Sequence, residues 1–115
     1  MQDAILENNE KILDVVAFRV AEQDFCFDLA SVREIRGWTS TTALPHAQPY
    51  VRGVINLRGS VVPVIDLSQR LGFGEANPGA RHVIIIAVVK YQTVGLLADV
   101  VSDILTATES EHQPI

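Results

Sequence analysis

Apolar residues along this chain come in short runs that alternate with polar ones and break at Gly, Pro, Asn or Asp, and no stretch holds a long helical period. This pattern constrains the fold most, because a period of two punctuated by turns suits short strands. From Ile12 to Val20, Val16, Phe18 and Val20 alternate with Ala17 and Arg19, as in a half-buried strand. The turn-like Ala21-Glu22-Gln23-Asp24 precedes "DFCFDL". Further strands are predicted at Val54 to Leu57, Val61 to Ile65, His82 to Lys90 and Thr93 to Leu97, with Tyr91-Gln92 joining the last two as a hairpin. "GFGEANPGAR" is a loop by its Gly, Asn and Pro content. Short strands at short spacing predict a small all-β barrel or sandwich.

The chain has 115 residues, 48% of them hydrophobic, enough for one domain with one modest core. Residues 1–11 read as a polar leader ahead of the domain, 12–115. The net charge of -5 sits largely at the ends: five of the 14 acids are Asp3, Glu7, Glu10, Glu109 and Glu111, which leaves nine acids against eight bases from Ile12 to Thr108. A nearly neutral body is a poor footprint for nucleic acid, which asks for a basic stripe. The acidic amino end does not read as a secretory signal, and the longest apolar run, Val83 to Val89, is too short to span a bilayer. A cytoplasmic setting is expected. The single Cys26, among apolar neighbours, is expected to be a buried structural thiol.

Three aspartates, Asp28, Asp66 and Asp99, each stand at the end of an apolar run and before a short helix-like segment. Catalytic carboxylates would need a partner base, and none is nearby in sequence; capping of turns needs only the adjacent N–H groups. Asp66 with Gln69, followed by Gly72, fits a capping box on a single helical turn. Other catalytic or metal chemistry is equally poorly supplied. His46, His82 and His112 lack ligand spacing, Ser60 and Ser68 lack a nucleophile elbow, and "GFGEANPG" lacks the Lys-Ser/Thr of a phosphate loop. No catalytic residue, metal or cofactor is expected.

That leaves two Arg-Gly pairs in "VRGVINLRGSVVPVIDL" unexplained. Arg58-Gly59 reads as a hairpin tip, with Gly59 free to take positive φ, and Pro63 asks for an edge or a bulge in the strand that follows. Arginine has no preference for such a tip, where Asn or Asp would serve better. Earlier, "VREIRGW" repeats the theme with Val32, Glu34, Arg36 and Trp38. Arginines beside an aromatic on a neutral body are typical of a protein–protein hot spot.

Together, "FDLASVREIRGW", "YVRGVINLRGSVVPVIDL" and "VGLLADVVSDIL" resemble the CheW-like domain of bacterial chemotaxis coupling proteins, from about Val16 to Pro114. The resemblance implies two intertwined five-stranded β-barrels with short helical turns and no enzymatic activity. It implies a scaffold linking methyl-accepting chemoreceptors to the regulatory domain of the histidine kinase CheA, membrane-associated only through receptor arrays. Val32 and Glu34 match the family's receptor-coupling segment, Arg58 an arginine important for coupling, and Gly53 the glycine that sets the strand. With Arg36, Trp38, Arg52, Asn56 and Gly59 these make up the expected partner-binding set, in which Glu34 and Arg58 should pair as carboxylate and guanidinium.

The family normally continues with another glycine-containing hairpin and a closing helix, absent after "HQPI", so an incomplete barrel is allowed for. Self-association through an open strand edge is then expected, with Val15 to Val20 and "HVIIIAVVKYQTVGLL" as its donors. Two other readings stay open: the CheW-like part of a larger regulator, a kinase or a receiver-bearing coupling protein, and an unrelated binding barrel.

Overall fold

A computed structural model describes residues 12–108. The expectations for the leader and for the tail with His112 lie outside the described residues. Eight strands follow in order: β1 (Ile12–Val20), β2 (Gln23–Asp28), β3 (Val32–Gly37), β4 (Val51–Leu57), β5 (Ser60–Asp66), β6 (Val83–Val89), β7 (Gln92–Ala98) and β8 (Val100–Thr108). A single 3-10 turn, Leu29–Ser31, separates β2 from β3, and one helical turn, α1 (Leu67–Arg70), follows β5. The all-β expectation holds.

The strands form a three-stranded sheet, β2-β1-β8, and a five-stranded sheet, β3-β6-β7-β5-β4. The chain starts in the first, builds the second and returns to the first at β8, so the two units are intertwined. β3 and β4 end the five-stranded order, yet the segment after β3, which first extends the β6 pairing through Trp38 N and His82 O, reaches across to β4 where Thr42 bridges Val54. That bridge curls the larger sheet toward closure.

The apolar run of β6 lies between two cores. Ile84 and Ile86 face inward with Ile55, Leu57, Val62, Val64 and Leu97. Ile85 and Ala87 face the other sheet with Phe18, Val20, Phe25, Leu67, Val94, Leu96 and Ala98. A strand covered on both faces cannot alternate apolar with polar, which is why "VIIIAVV" reads as continuous. Burying a large side chain such as Ile85 contributes about 1.5–3 kcal/mol.

Three two-residue hairpin tips have positive φ at both positions: Ala21-Glu22 (52° and 67°), Arg58-Gly59 (50° and 90°) and Lys90-Tyr91 (52° and 68°). Such turns match the right-handed strand twist, and the twist imposes them even on residues that dislike the left-handed region. The predicted Tyr91-Gln92 turn therefore shifts back by one residue, and β2 begins at Gln23, two residues earlier than its turn-like start suggested. Pro63 pairs with Val54 of β4, while β7 joins β5 only from Val64. The strand is thus a local edge at the proline, as its missing N–H requires.

Three expectations are corrected. No helical turn follows Asp99, because β8 starts at Val100 and pairs along β1. The nominated edge donors are internal: β1 is flanked by β2 and β8, and β6 and β7 lie within the larger sheet, so the edges among the described residues are β2, β8, β3 and β4. Cys26 is half-buried rather than buried, as its position on edge strand β2 allows.

Candidate interaction surface

The alternation of β3 puts Val32, Glu34 and Arg36 on its better-covered face and leaves Arg33 and Ile35 more exposed. A bulge between Val32 and Glu34 re-aims the strand at this point. Glu34 Oε1 accepts from Arg58 Nη2 at 2.6 Å, and its Oε2 accepts from Arg36 Nη1 at 3.3 Å. The expected Glu34–Arg58 pair is therefore formed, and it links β3 to the β4–β5 tip across the curled sheet. The hydrogen bond from Arg58 is the main cause holding the Glu34 carboxyl below its usual range. Desolvation opposes it, and the charges of Arg58 and Arg36 and the bond from Arg36 each add to the lowering.

Arg58 is presented at a left-handed position, with 71% of its side chain exposed even while paired. Asn56 Oδ1 accepts from Gly59 N at 3.0 Å and locks the tip. Beside it, Val61 is 68% exposed, and a shallow depression of about 460 Å³ opens between Arg33, Arg58, Ser60, Val61 and Thr93. Two guanidiniums shared by one carboxylate, next to an exposed valine, can recognise a partner through charge and a small apolar contact.

The rest of the expected set lies elsewhere. Arg52 points to Asp66: its Nη1 lies 3.2 Å from Oδ2 and also donates to Ala76 O at 2.9 Å. Its guanidinium stacks 5.4 Å from the Trp38 ring centroid. Asp66, 1% exposed, accepts from Gln69 N and Ala76 N as well. Asp66 is thus a helix cap, as read, and the bulge between Val51 and Gly53 also brings alongside it a cation, Arg52, which the sequence did not assign to it. Gly53 sits inside β4 rather than ahead of it. A Cβ there would lie 2.3 Å from Thr42 O, and its φ is +148°. Its work is to let the barrel-closing segment approach. Val32 packs toward the inter-sheet core and Trp38 toward the interior of the larger sheet. Glu34, Arg36, Asn56, Arg58 and Gly59 therefore share one surface, while Arg52 and Trp38 gather around Asp66 and Gly53 faces Thr42.

Asp28 accepts from Ala30 N at 2.9 Å and caps the 3-10 turn. Asp99 accepts from Ala21 N at 3.1 Å and joins the two sheets, a role that sequence spacing did not reveal. Among the described residues no cluster of His, Cys, Asp and Glu could hold a metal ion, and no helix is long and apolar enough to cross a membrane.

The CheW-like domain family matches residues 14–115. The chain is 54% identical over 114 residues to a probable chemotaxis protein CheW of Rhizobium etli, covering 99% of this chain and 74% of that protein. It is 57% identical over 101 residues to the chemotaxis protein CheW of Rhizobium meliloti, covering 88% of this chain and 65% of that protein. The crystal structure of the scaffolding protein TtCheW from Thermoanaerobacter tengcongensis superposes with a TM-score of 0.80 at 33% identity, covering 87% of this chain and 68% of that one.

Proposed function

The chain belongs to the CheW-like domain family, and from that premise we propose that it is a non-catalytic coupling scaffold in chemotaxis, joining receptor cytoplasmic tips to the histidine kinase CheA. The relatives named as chemotaxis proteins and the superposed scaffolding protein support the class. The observation that carries the site is the Glu34–Arg58 pair, made at 2.6 Å by an arginine still 71% exposed. An arginine presented in this way keeps donors free for a partner while its position stays fixed. A role without catalysis is supported by the employment of the aspartates, since Asp28, Asp66 and Asp99 each accept backbone N–H groups.

The test is a pull-down of the purified chain with receptor cytoplasmic fragments and with the kinase regulatory domain. Arg58→Glu and Glu34→Arg should each weaken capture of at least one partner with little change in melting temperature. An exposed pair orients side chains more than it stabilises them. The double reversal should recover part of the binding. Unchanged capture by both single variants would remove this surface from the proposal.

A further inference from the structure

The two sheets meet at a junction built around His82, which the sequence singled out only to dismiss as a metal ligand. The main chain of His82 holds Trp38 N through its carbonyl at 3.0 Å and donates its own N–H to Gly79 O at 3.1 Å. Its side chain is 19% exposed and works at both nitrogens. Nδ1 accepts from Gly79 N at 3.0 Å, and Nε2 lies 3.3 Å from Asp99 Oδ1. The other oxygen of Asp99 accepts from Ala21 N in the β1–β2 turn, and Asp99 N donates to Arg19 O at 2.9 Å. Asp99 sits between β7 of one sheet and β8 of the other, so this imidazole bridges the loop before β6 to the crossing between sheets.

The geometry points to His82 as a proton-operated latch on the loop that precedes β6. A nitrogen that accepts from a backbone N–H carries no hydrogen, so in this arrangement the ring's hydrogen is on Nε2, the nitrogen that faces Asp99 Oδ1. Protonation puts a hydrogen on Nδ1, facing the Gly79 N–H. Two donors cannot share that contact, so Gly79 must move away, while the imidazolium holds the Asp99 carboxylate more tightly. One proton thus releases the loop and fastens the sheet junction. The opening has a boundary on each side, because Ala76 N is held by Asp66 at 2.8 Å and His82 N by Gly79 O.

The charges around the ring are few. Asp99 faces it from the β7–β8 crossing. From the end of β1, the Arg19 guanidinium is already engaged by Asp24 at 3.1 Å and by Glu22 O at 3.0 Å. Arg81 precedes the ring in sequence and is exposed. On the β3 side the neighbour is the uncharged Trp38, and Arg36 is held by Glu34.

Imidazole nitrogen spectra and amide exchange of the whole chain, followed from about pH 8 downward through protonation of the ring, test the latch. At the alkaline end the ring should show the Nε2–H tautomer and a protected Gly79 amide. As the ring protonates, Gly79 should lose its protection with the same midpoint, while the Ala21 and Asp99 amides stay protected. His82→Gln, which can still donate toward Asp99, should leave Gly79 unprotected at every pH and abolish the transition. An Nδ1–H tautomer in the neutral protein, or a Gly79 amide indifferent to titration of the ring, would overturn the proposal.

Discussion

Replacing Asp66 by alanine should cost far more than the loss of a helix cap. A cap alone contributes about 1 kcal/mol, and the sequence supports no larger figure. In the structure, however, the carboxylate is 1% exposed and serves three donors: Gln69 N at 3.3 Å, Ala76 N at 2.8 Å and Arg52 Nη1 at 3.2 Å. Alanine leaves a guanidinium that is itself only 21% exposed without its counter-ion. Removing one partner of a buried pair typically costs about 3–5 kcal/mol, a large share of the roughly 5–15 kcal/mol that holds a domain folded.

Asparagine discriminates further. It keeps the shape and one acceptor, so a pure cap would tolerate it. Here its NH₂ must face a donor whichever way the amide is turned, so a loss of about 2–3 kcal/mol is expected. Urea unfolding followed by circular dichroism gives the midpoints. Combining Asp66→Asn with Arg52→Met should show a coupling of about 1–3 kcal/mol, because the two changes remove the same contact. If alanine cost no more than about 1 kcal/mol and asparagine nothing, Asp66 would be a cap only, and the ion pair would be energetically idle.

Gly53→Ala should destabilise the larger sheet by roughly 2–4 kcal/mol in a thermal melt, because its Cβ would meet the Thr42 carbonyl at 2.3 Å with φ at +148°. A loss below about 0.5 kcal/mol would mean that the Thr42–Val54 bridge can shift freely. Exchanging Lys90-Tyr91 for Asn-Gly should raise the melting midpoint, with a gain of about 1 kcal/mol, since both residues occupy the left-handed region with exposed side chains. No gain would show that the tip is held by contacts stronger than its turn preference.

Strand positions, most turns and two of the three capping aspartates were legible in the sequence because their causes are local. A period of two marks a pleated segment, a glycine or proline marks where it can bend, and an aspartate binds N–H groups two or three residues on. The one-residue error at Lys90-Tyr91 and the missing helix after Asp99 have another cause: twist and pairing with β1 overrode local preference. Glu34 and Arg58 were expected together only because a family resemblance set them on one surface. Their spacing of 24 residues carries no such information.

What the chain determines by itself is therefore an all-β domain and the residue types at its turns. The tertiary structure decided which arginine faces a partner and which faces the interior. Arg52 and Arg58 are both followed by glycine and lie six residues apart, yet one stacks on Trp38 and neutralises Asp66 while the other stands exposed at a tip. The bulge beside Gly53 and the crossing of Thr42 over β4 make that difference. Both depend on strands far apart in the chain, and a strand's own residues do not record which neighbour it will meet.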